Sequence, residues 1–438
     1  MWETMRNVWR VPELRKKLIY TFFMLLLFRL VSVIPVPGLD AQNFLGATKD
    51  YEMLGLVNMM TGSAFSQLTI MAMGISPYIN ASIIMQLLTI AIPALERLQK
   101  DGGEEGKQKI NRITRYVTVA LAALQAIGII AGLNGQYHVV KAGYQNFLGF
   151  CFIGIVMAGG TALAMWIGER ITKNGIGNGI SLLIFVGIVS NLSGGIVKNV
   201  QGIFMTPEAW AANAAYSGPK PTVGNLVTII LTTLIILVVV TFVDLAERRI
   251  PVQYAKRVVG RKMYGGQSTH IPMKLLSVGV LPLIFAYSFM AFPGTIFAMF
   301  GTNSGAYQWW QRNMNQASPW YMIVCALLII AFSYFYTSIT FNPQDIAKNI
   351  QQQGGHIPGI RTGSKTVEFL QRTSNRLTLF AAIFLAILST VPSVLSVWQN
   401  VQIPFGASSI LIAVSVAIET VRQVESQLVM RNYKGFLG

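Results

Sequence analysis

Residues 71–88 read MAMGISPYINASIIMQLL. Apolar sequence flanks this stretch, and it has nearly the length of a membrane span. Yet Gly74, Ser76, Pro77, Asn80, Ser82 and Gln86 interrupt it, and a helix surrounded by lipid has no partners for such groups. The stretch therefore predicts a membrane helix with one face turned away from lipid, toward a polar path.

The rest of the chain supports a membrane setting. Of its 438 residues 53% are hydrophobic and only 12% charged, against roughly 25% charged in soluble chains. About 20 mostly apolar residues cross a hydrocarbon core of ~30 Å. Ten segments approach that standard, at 18–36, 74–93, 113–133, 148–169, 180–199, 225–246, 274–295, 319–341, 376–396 and 404–424. The second, seventh and tenth are the least apolar. The expected fold is all-α, a polytopic membrane protein with ten transmembrane helices.

Charge orients the spans, because cytoplasmic loops carry the excess of Lys and Arg. With the N-terminus inside, 28 of the 34 Lys and Arg residues fall on the cytoplasmic side. Lys49, Lys141, Lys198, Lys220 and Arg312 fall outside, and Arg29 lies within the first span. Both termini are expected in the cytoplasm. The net charge of +17 is then concentrated on one membrane face, where contact with anionic lipids is expected.

Several chemistries have no footing. Cys151 and Cys325 both fall within spans, so no disulfide framework or metal site is expected. The basic tail Met1–Lys17 leads into a full-length span and does not read as a cleavable signal. There is no phosphate-binding GxxxxGK[ST] loop and no HExxH, and His138, His270 and His356 lie in or beside loops. No cofactor and no catalytic activity are expected. GIGNGIS at 175–181 reads as a tight turn entering the fifth span.

The two halves of the chain echo each other. Gly74-Ile75-Ser76-Pro77-Tyr78-Ile79 in the second span and Gly279-Val280-Leu281-Pro282-Leu283-Ile284 in the seventh both read G-x-x-P-x-I. Ser181-Leu182-Leu183-Ile184 in the fifth matches Ser409-Ile410-Leu411-Ile412 in the tenth. Five spans per half make the halves, 1–200 and 201–438, inverted copies, and such proteins place their path at the repeat interface. Ile75 and Ile79 share one helix face, as do Ile180 and Ile184. With Ile284 and Ile412 they give six branched side chains from four corresponding helices. The same helices carry Asn80, Gln86, Asn178 and Ser181. An aqueous conduit with a short apolar constriction fits this mixture, since such constrictions block water and ions by dewetting.

Ion-coupled transporters keep ionisable groups within their spans. Here Glu169, Asp244, Glu247 and Glu419 gather toward the cytoplasmic ends, and only Arg29 lies deep, where it snorkels outward or pairs with a carbonyl. Ahead of the second span, LGLVNMMTGSAFSQLTI (54–70) is too short and too polar to span. It reads as a re-entrant half-helix that enters the conduit from outside and plugs it; the alternative is a surface loop on the outer leaflet.

RLVSVIPVPGLD, MGISPYINASIIMQLL, WIGERITKNGIGNGISLLIF, YAKRVVGRKMYGGQSTHIPMK, NPQDIAKNIQQQGGHIPGIRTG and ESQLVMRNYKGF together resemble the bacterial SecY family, from about Arg10 to Phe436. The resemblance implies a protein-conducting channel of the plasma membrane, built as a clamshell of two five-helix halves. It places the pore ring on Ile75, Ile79, Ile180, Ile184, Ile284 and Ile412. It places the plug on roughly 56–69, a segment that includes Leu56, Asn58, Met59, Met60, Thr61, Gly62, Ser63 and Phe65. A lateral gate between the second and seventh helices takes in Pro77, Asn80, Gln86 and Pro282. Docking of the ribosome and the SecA motor falls on loops 246–273 and 342–375, with Arg248, Arg249, Lys256, Arg257, Arg261, Lys262 and Arg361. The implied partners are the small membrane subunits SecE and SecG, SecA, the ribosome, and signal peptides with their nascent polypeptides. Some relatives have proline after the functional arginine; Thr362 stands there in this chain.

The residues agree with a docking role. The basic cluster Arg248–Lys262 is interleaved with Tyr254 and precedes Tyr264, and ribosomal RNA is polyanionic. The loop is about 28 residues long, far more than two adjacent helices need. A secondary transporter of small solutes is the competing reading; it calls for an intramembrane binding site with ionisable groups, which the spans lack.

Overall fold

The computed structural model of the chain describes residues 9, 11–40, 44, 61–206, 222–254, 257–259, 262–264, 268–276, 279–299, 304–314, 318–399 and 407–434. A helix stands at each of the ten predicted segments. The first half contains α1 (Pro12–Val31), α2 (Ser76–Ala91), the short α3 (Pro93–Lys100), α4 (Gly103–Tyr137), α5 (Phe147–Asn174) and α6 (Gly179–Phe204). The second contains α7 (Val223–Leu245), α8 (Leu281–Met299), the short α9 (Gly305–Asn313), α10 (Pro319–Thr340), α11 (Pro343–Gln352), α12 (Ser364–Gln399) and α13 (Ala407–Lys434).

Among the described residues, α4, α5, α6, α7, α10 and α12 are each long and apolar enough to cross a bilayer, six in all. The pair α2–α3 would be a seventh, broken by a bend of 104°. That bend falls at Ile92, which is extended (φ −108°, ψ 110°) because the following Pro93 disfavours the helical conformation before it. The remaining helices fall short for visible reasons. Glu13, Arg15, Lys16, Lys17 and Arg29 load α1 with charge, and Glu419, Arg422 and Glu425 do the same to α13, whereas α8 carries no charged residue and among the described residues offers the apolar stretch Leu281–Met290.

The halves are packed alike. In the first, α2 lies on α4, α4 on α5 and α5 on α6; in the second, α8 lies on α10, α10 on α12 and α12 on α13. The halves meet along two seams, one where α8 packs against α2 and α4, the other where α6 packs against α13 and α7. Close approach within the first half depends on missing side chains. A Cβ on Gly179 would stand 1.9 Å from the Gly168 carbonyl oxygen. Gly179→Val should therefore push α6 off α5 and destabilise the fold by about 3 kcal/mol. A lowered thermal midpoint in detergent is the expected reading, and an unchanged one would show that the helices part freely.

The polar loops hold structure absent from the helical expectation. After α7 the chain enters β1 (Glu247–Tyr254), a small hairpin of β2 (Arg257–Val259) and β3 (Lys262–Tyr264), then β4 (Ser268–Lys274). β1 and β4 run antiparallel from Glu247↔Lys274 to Gln253↔Ser268. β5 (Gly355–His356), from the distant loop after α11, pairs with Gln253 and Tyr254 on the other edge of β1. Pro251 is tolerated mid-strand because β5 pairs only beyond it, where no donor from the proline is needed. Ile250 and Val252 point inward and pack with Met273, Ala347, Ile350 and Leu370. Loops 246–273 and 342–375 thus share one apolar core outside the spans.

Candidate functional site

The G-x-x-P-x-I repeat is a repeat of geometry as well as of letters. Gly74 and Gly279 both take positive φ, +53° and +61°, a region open to glycine at no steric cost. Each closes a tight turn, from Gly74 N to the Met71 carbonyl at 2.8 Å and from Gly279 N to the Leu276 carbonyl at 3.0 Å. Each helix begins two residues later, at Ser76 and at Leu281. Pro77 and Pro282 occupy the first turn, where a missing N–H costs nothing. Ile79 then bonds back to Ile75, and Ile284 to Val280, both at 3.1 Å.

These starts deliver the isoleucines to one place. Ile75, Ile79, Ile184, Ile284 and Ile412 are buried in a single cluster, and half-buried Ile180 packs against it. Above the cluster lie two adjoining cavities of about 810 Å³ and about 830 Å³. Ile184 and Ile284 line both, together with Asn178 and Ser181. Gln86 and Ile79 face the first, and Ile412 faces the second. The cavity rims carry Arg115, Glu169, Lys173, Lys274 and Arg422, residues that the charge bias assigns to the cytoplasmic face. Polar space thus ends on an apolar floor built by four helices. GIGNGIS turns as expected: Gly177 has φ +86°, and the Asn178 side chain caps α6 by accepting from Ile180 N at 3.1 Å and Ser181 N at 3.4 Å.

The floor is closed from the other side by the segment that precedes α2. Leu56, Asn58, Met59 and Met60 lie outside the described residues. Thr61, Gly62 and Phe65 are buried and Ser63 half-buried. From Gly62 to Ile75 the chain makes successive turns where a half-helix was expected through 69. Positive φ at Gly62, Ser63 and Leu68 (+65°, +70° and +49°) breaks the helix. Ala64 and Met71 join the isoleucine cluster, while Phe65 joins a second cluster with Phe44, the two rings meeting edge to face at 5.4 Å. The segment is anchored at its base by a bridge between Pro35 and Thr69. Backbone bonds from Val36 N to Leu68 O and from Ile70 N to Ile34 O, both 2.9 Å, fix that bridge.

Arg29, left open between snorkelling and pairing, is paired. Its Nη1 donates to the Gly62 carbonyl at 3.1 Å, and its Nη2 donates to the Ser190 hydroxyl on α6.

At the seam, Pro77 and Pro282 are buried, and Asn80 and Gln86 are half-buried. The amide of Gln86 reaches Ser82 one turn back, at 3.4 Å. The structure adds α4 to this seam, which the residues of α2 and α8 gave no sign of. Arg115 of α4 pairs with Glu169 of α5 (Nε–Oε1, 2.7 Å), and Arg170 lies over the Trp166 ring at 5.5 Å. Glu169 was visible in the sequence as an acid at a span end, but its partner is 54 residues away.

Of the basic loop residues, Arg248 and Arg249 are exposed on β1, and Arg249 pairs with Glu247 at 2.8 Å. Arg257 and Lys262 stand on the paired strands β2 and β3, while Lys256 and Arg261 lie outside the described residues. Arg361 is exposed in the turn between β5 and α12, flanked by Gly359 (φ +79°) and Gly363 (φ +96°). Its carbonyl accepts from the Thr366 hydroxyl at 3.0 Å. Because β5 is hydrogen-bonded to β1, the loop of Arg361 and the strand that leads into the basic hairpin belong to one platform.

Known proteins share this arrangement. The SecY family model matches residues 69–421. A Streptomyces galbus protein, "Protein translocase subunit SecY", is 41% identical over 98% of each chain. A solved structure described as that of a protein conducting channel superposes with a TM-score of 0.66 at 19% identity, covering 96% of both chains. Another, described as showing that the plug domain of the SecY protein stabilises the closed state of the translocation channel and maintains a membrane seal, superposes at 0.65, again with 19% identity and 96% of each chain. With identity of this order along almost its whole length, the chain belongs to the SecY family.

Proposed function

We propose that this multi-pass membrane protein is the conduit through which unfolded secretory polypeptides cross the plasma membrane. It has ten spans in two inverted halves, 1–200 and 201–438, and both termini are cytoplasmic. The observation that carries the reading is the buried isoleucine floor, shared by α2, α6, α8 and α13, between polar cavities and a plugging turn. Branched side chains have no directional bonds to satisfy, so they close around a moving chain of any sequence while excluding water and ions. Apolar signal segments leave sideways between α2 and α8, where opening of the seam exposes them to lipid.

The chain supplies a path and no chemistry. Work comes from partners that dock on the cytoplasmic platform: a ribosome, whose RNA meets the basic hairpin, or the SecA motor, which engages Arg361. Small membrane subunits of the SecE and SecG kind complete the assembly, and anionic lipids meet the basic face.

Vesicles reconstituted with the chain, its small subunits and the ATP-driven motor test the reading. They should import an unfolded secretory precursor and show no saturable uptake of small solutes. Solute accumulation without polypeptide import would support a secondary transporter instead, a reading to which the family gives no support.

A further inference from the structure

The plugging turn has an anchor at its base and a separate one at its tip. The base is the backbone bridge of Pro35 with Thr69, which side-chain chemistry cannot switch. The tip depends on side chains. Arg29 of α1 donates to the Gly62 carbonyl at 3.1 Å and to the Ser190 hydroxyl of α6. One residue on, the Ser63 hydroxyl donates to Asn191 Oδ1, also on α6, at 3.3 Å. The fit leaves no slack: a Cβ on Gly62 would stand 2.8 Å from Arg29 Nη1 and 3.0 Å from Gly187 Cα.

The tip also holds a backbone conformation that is costly on its own. Ser63 has φ +70°, a left-handed conformation that L-residues adopt only when their surroundings impose it. Arg29 is half-buried among apolar neighbours of α1, and a guanidinium at depth needs acceptors. Two groups with unmet needs therefore satisfy each other only while the turn is seated.

We propose that Arg29 is the positioning residue that latches the plug in its seat, and that its bonds to Gly62 and Ser190 set how readily the resting channel opens. The inference rests on the reading of this turn as a plug. All the latching groups belong to the first half, so the halves can separate without breaking the latch. Release then requires something that takes over from Arg29, or displaces Gly62 from it. Since the bonds exist in only one of the two states, losing them shifts the equilibrium by their full differential strength. For bonds to a charged donor that is roughly 10- to 100-fold in open probability.

The test is resting ion conductance of channels reconstituted in planar bilayers with their small subunits. Four chains are compared: unaltered, Arg29→Met, one with residues 61–66 replaced by a glycine linker, and the combination. Arg29→Met should raise open probability roughly 10- to 100-fold, and Arg29→Lys, whose single ammonium replaces a two-pronged donor, should raise it less. In the linker background Arg29→Met should add nothing, because an unpacked glycine run no longer holds the residue 62 carbonyl in its seat. Equal leak in the Arg29→Met and unaltered chains overturns the latch. So does an undiminished effect of Arg29→Met in the linker background, since Arg29 would then act through the fold at large. If the linker chain itself does not leak, the plug reading fails before the latch does. Should Arg29→Met fail to accumulate, Ser190→Ala removes one acceptor from the α6 side, and a several-fold rise in leak is expected; no rise overturns the proposal.

Discussion

Replacing both Ile79 and Ile184 with Gly should raise the resting ion conductance of the channel at least tenfold. Both side chains are buried in the constriction, at 6% and 4% exposure. Removing them opens space beside Asn178 and Ser181 in the cavity wall. Water that enters a widened, partly polar gap is no longer expelled, and ions follow it. Each truncation also removes packing worth about 2–5 kcal/mol, so fold integrity has to be checked by thermal midpoint alongside. Ile284→Asn makes the same point with a smaller void than glycine leaves, because the polar amide itself wets the constriction. Ile230 and Val238 on α7 are about as apolar but exposed, at 50% and 55%; glycine there should leave conductance unchanged. If the paired constriction variant were as tight as the unaltered channel, the isoleucines would be ordinary core.

Arg361→Glu should cut motor-driven import by roughly 30-fold or more while leaving the amount of protein in the membrane near normal. The magnitude follows from replacing an attraction by a repulsion in a docked charge contact, where loss of one partner alone costs about 2–5 kcal/mol. The local fold should survive, because the turn is held by the Arg361 carbonyl and not by its guanidinium. The glycines at 359 and 363 that set its shape are untouched. Initial rates of precursor import into vesicles, normalised to immunodetected protein, give the reading. An equal loss of protein and of import would assign Arg361 a folding role.

The parts of the fold legible in the sequence are those written locally. Spans are read from windows of about 20 residues, and each of the ten windows holds a helix. The duplicated G-x-x-P-x-I was readable because one turn and the helix start after it lie within six residues, and the structure repeats the same bonds in both copies. The plug was half readable. Gly62 and Ser63 marked an irregular backbone, but a helix was expected because nothing in the letters gives Leu68 a positive φ.

What escaped is written across distance. Arg29 and Ser190 stand 161 positions apart, and Arg115 and Glu169 stand 54 apart. β1 alternates only at Ile250 and Val252 and carries Pro251, so it reads as loop until β4 and the remote β5 are seen beside it. Under the proposed docking role the sheet matters all the same, because backbone hydrogen bonds tie β5, just ahead of Arg361, to β1, the strand that leads into the basic hairpin.

The central claim is that a polypeptide passes through the ring of isoleucines. A secretory chain stalled in transit, carrying one photo-crosslinker at the residue held mid-membrane, tests it most directly. Adducts are predicted at Ile79, Ile184 and Ile412, from both halves of the protein at once. Adducts that avoid these residues and fall instead on the lipid-exposed face of α7, at Val238 and Phe242 (55% and 77% exposed), would contradict it.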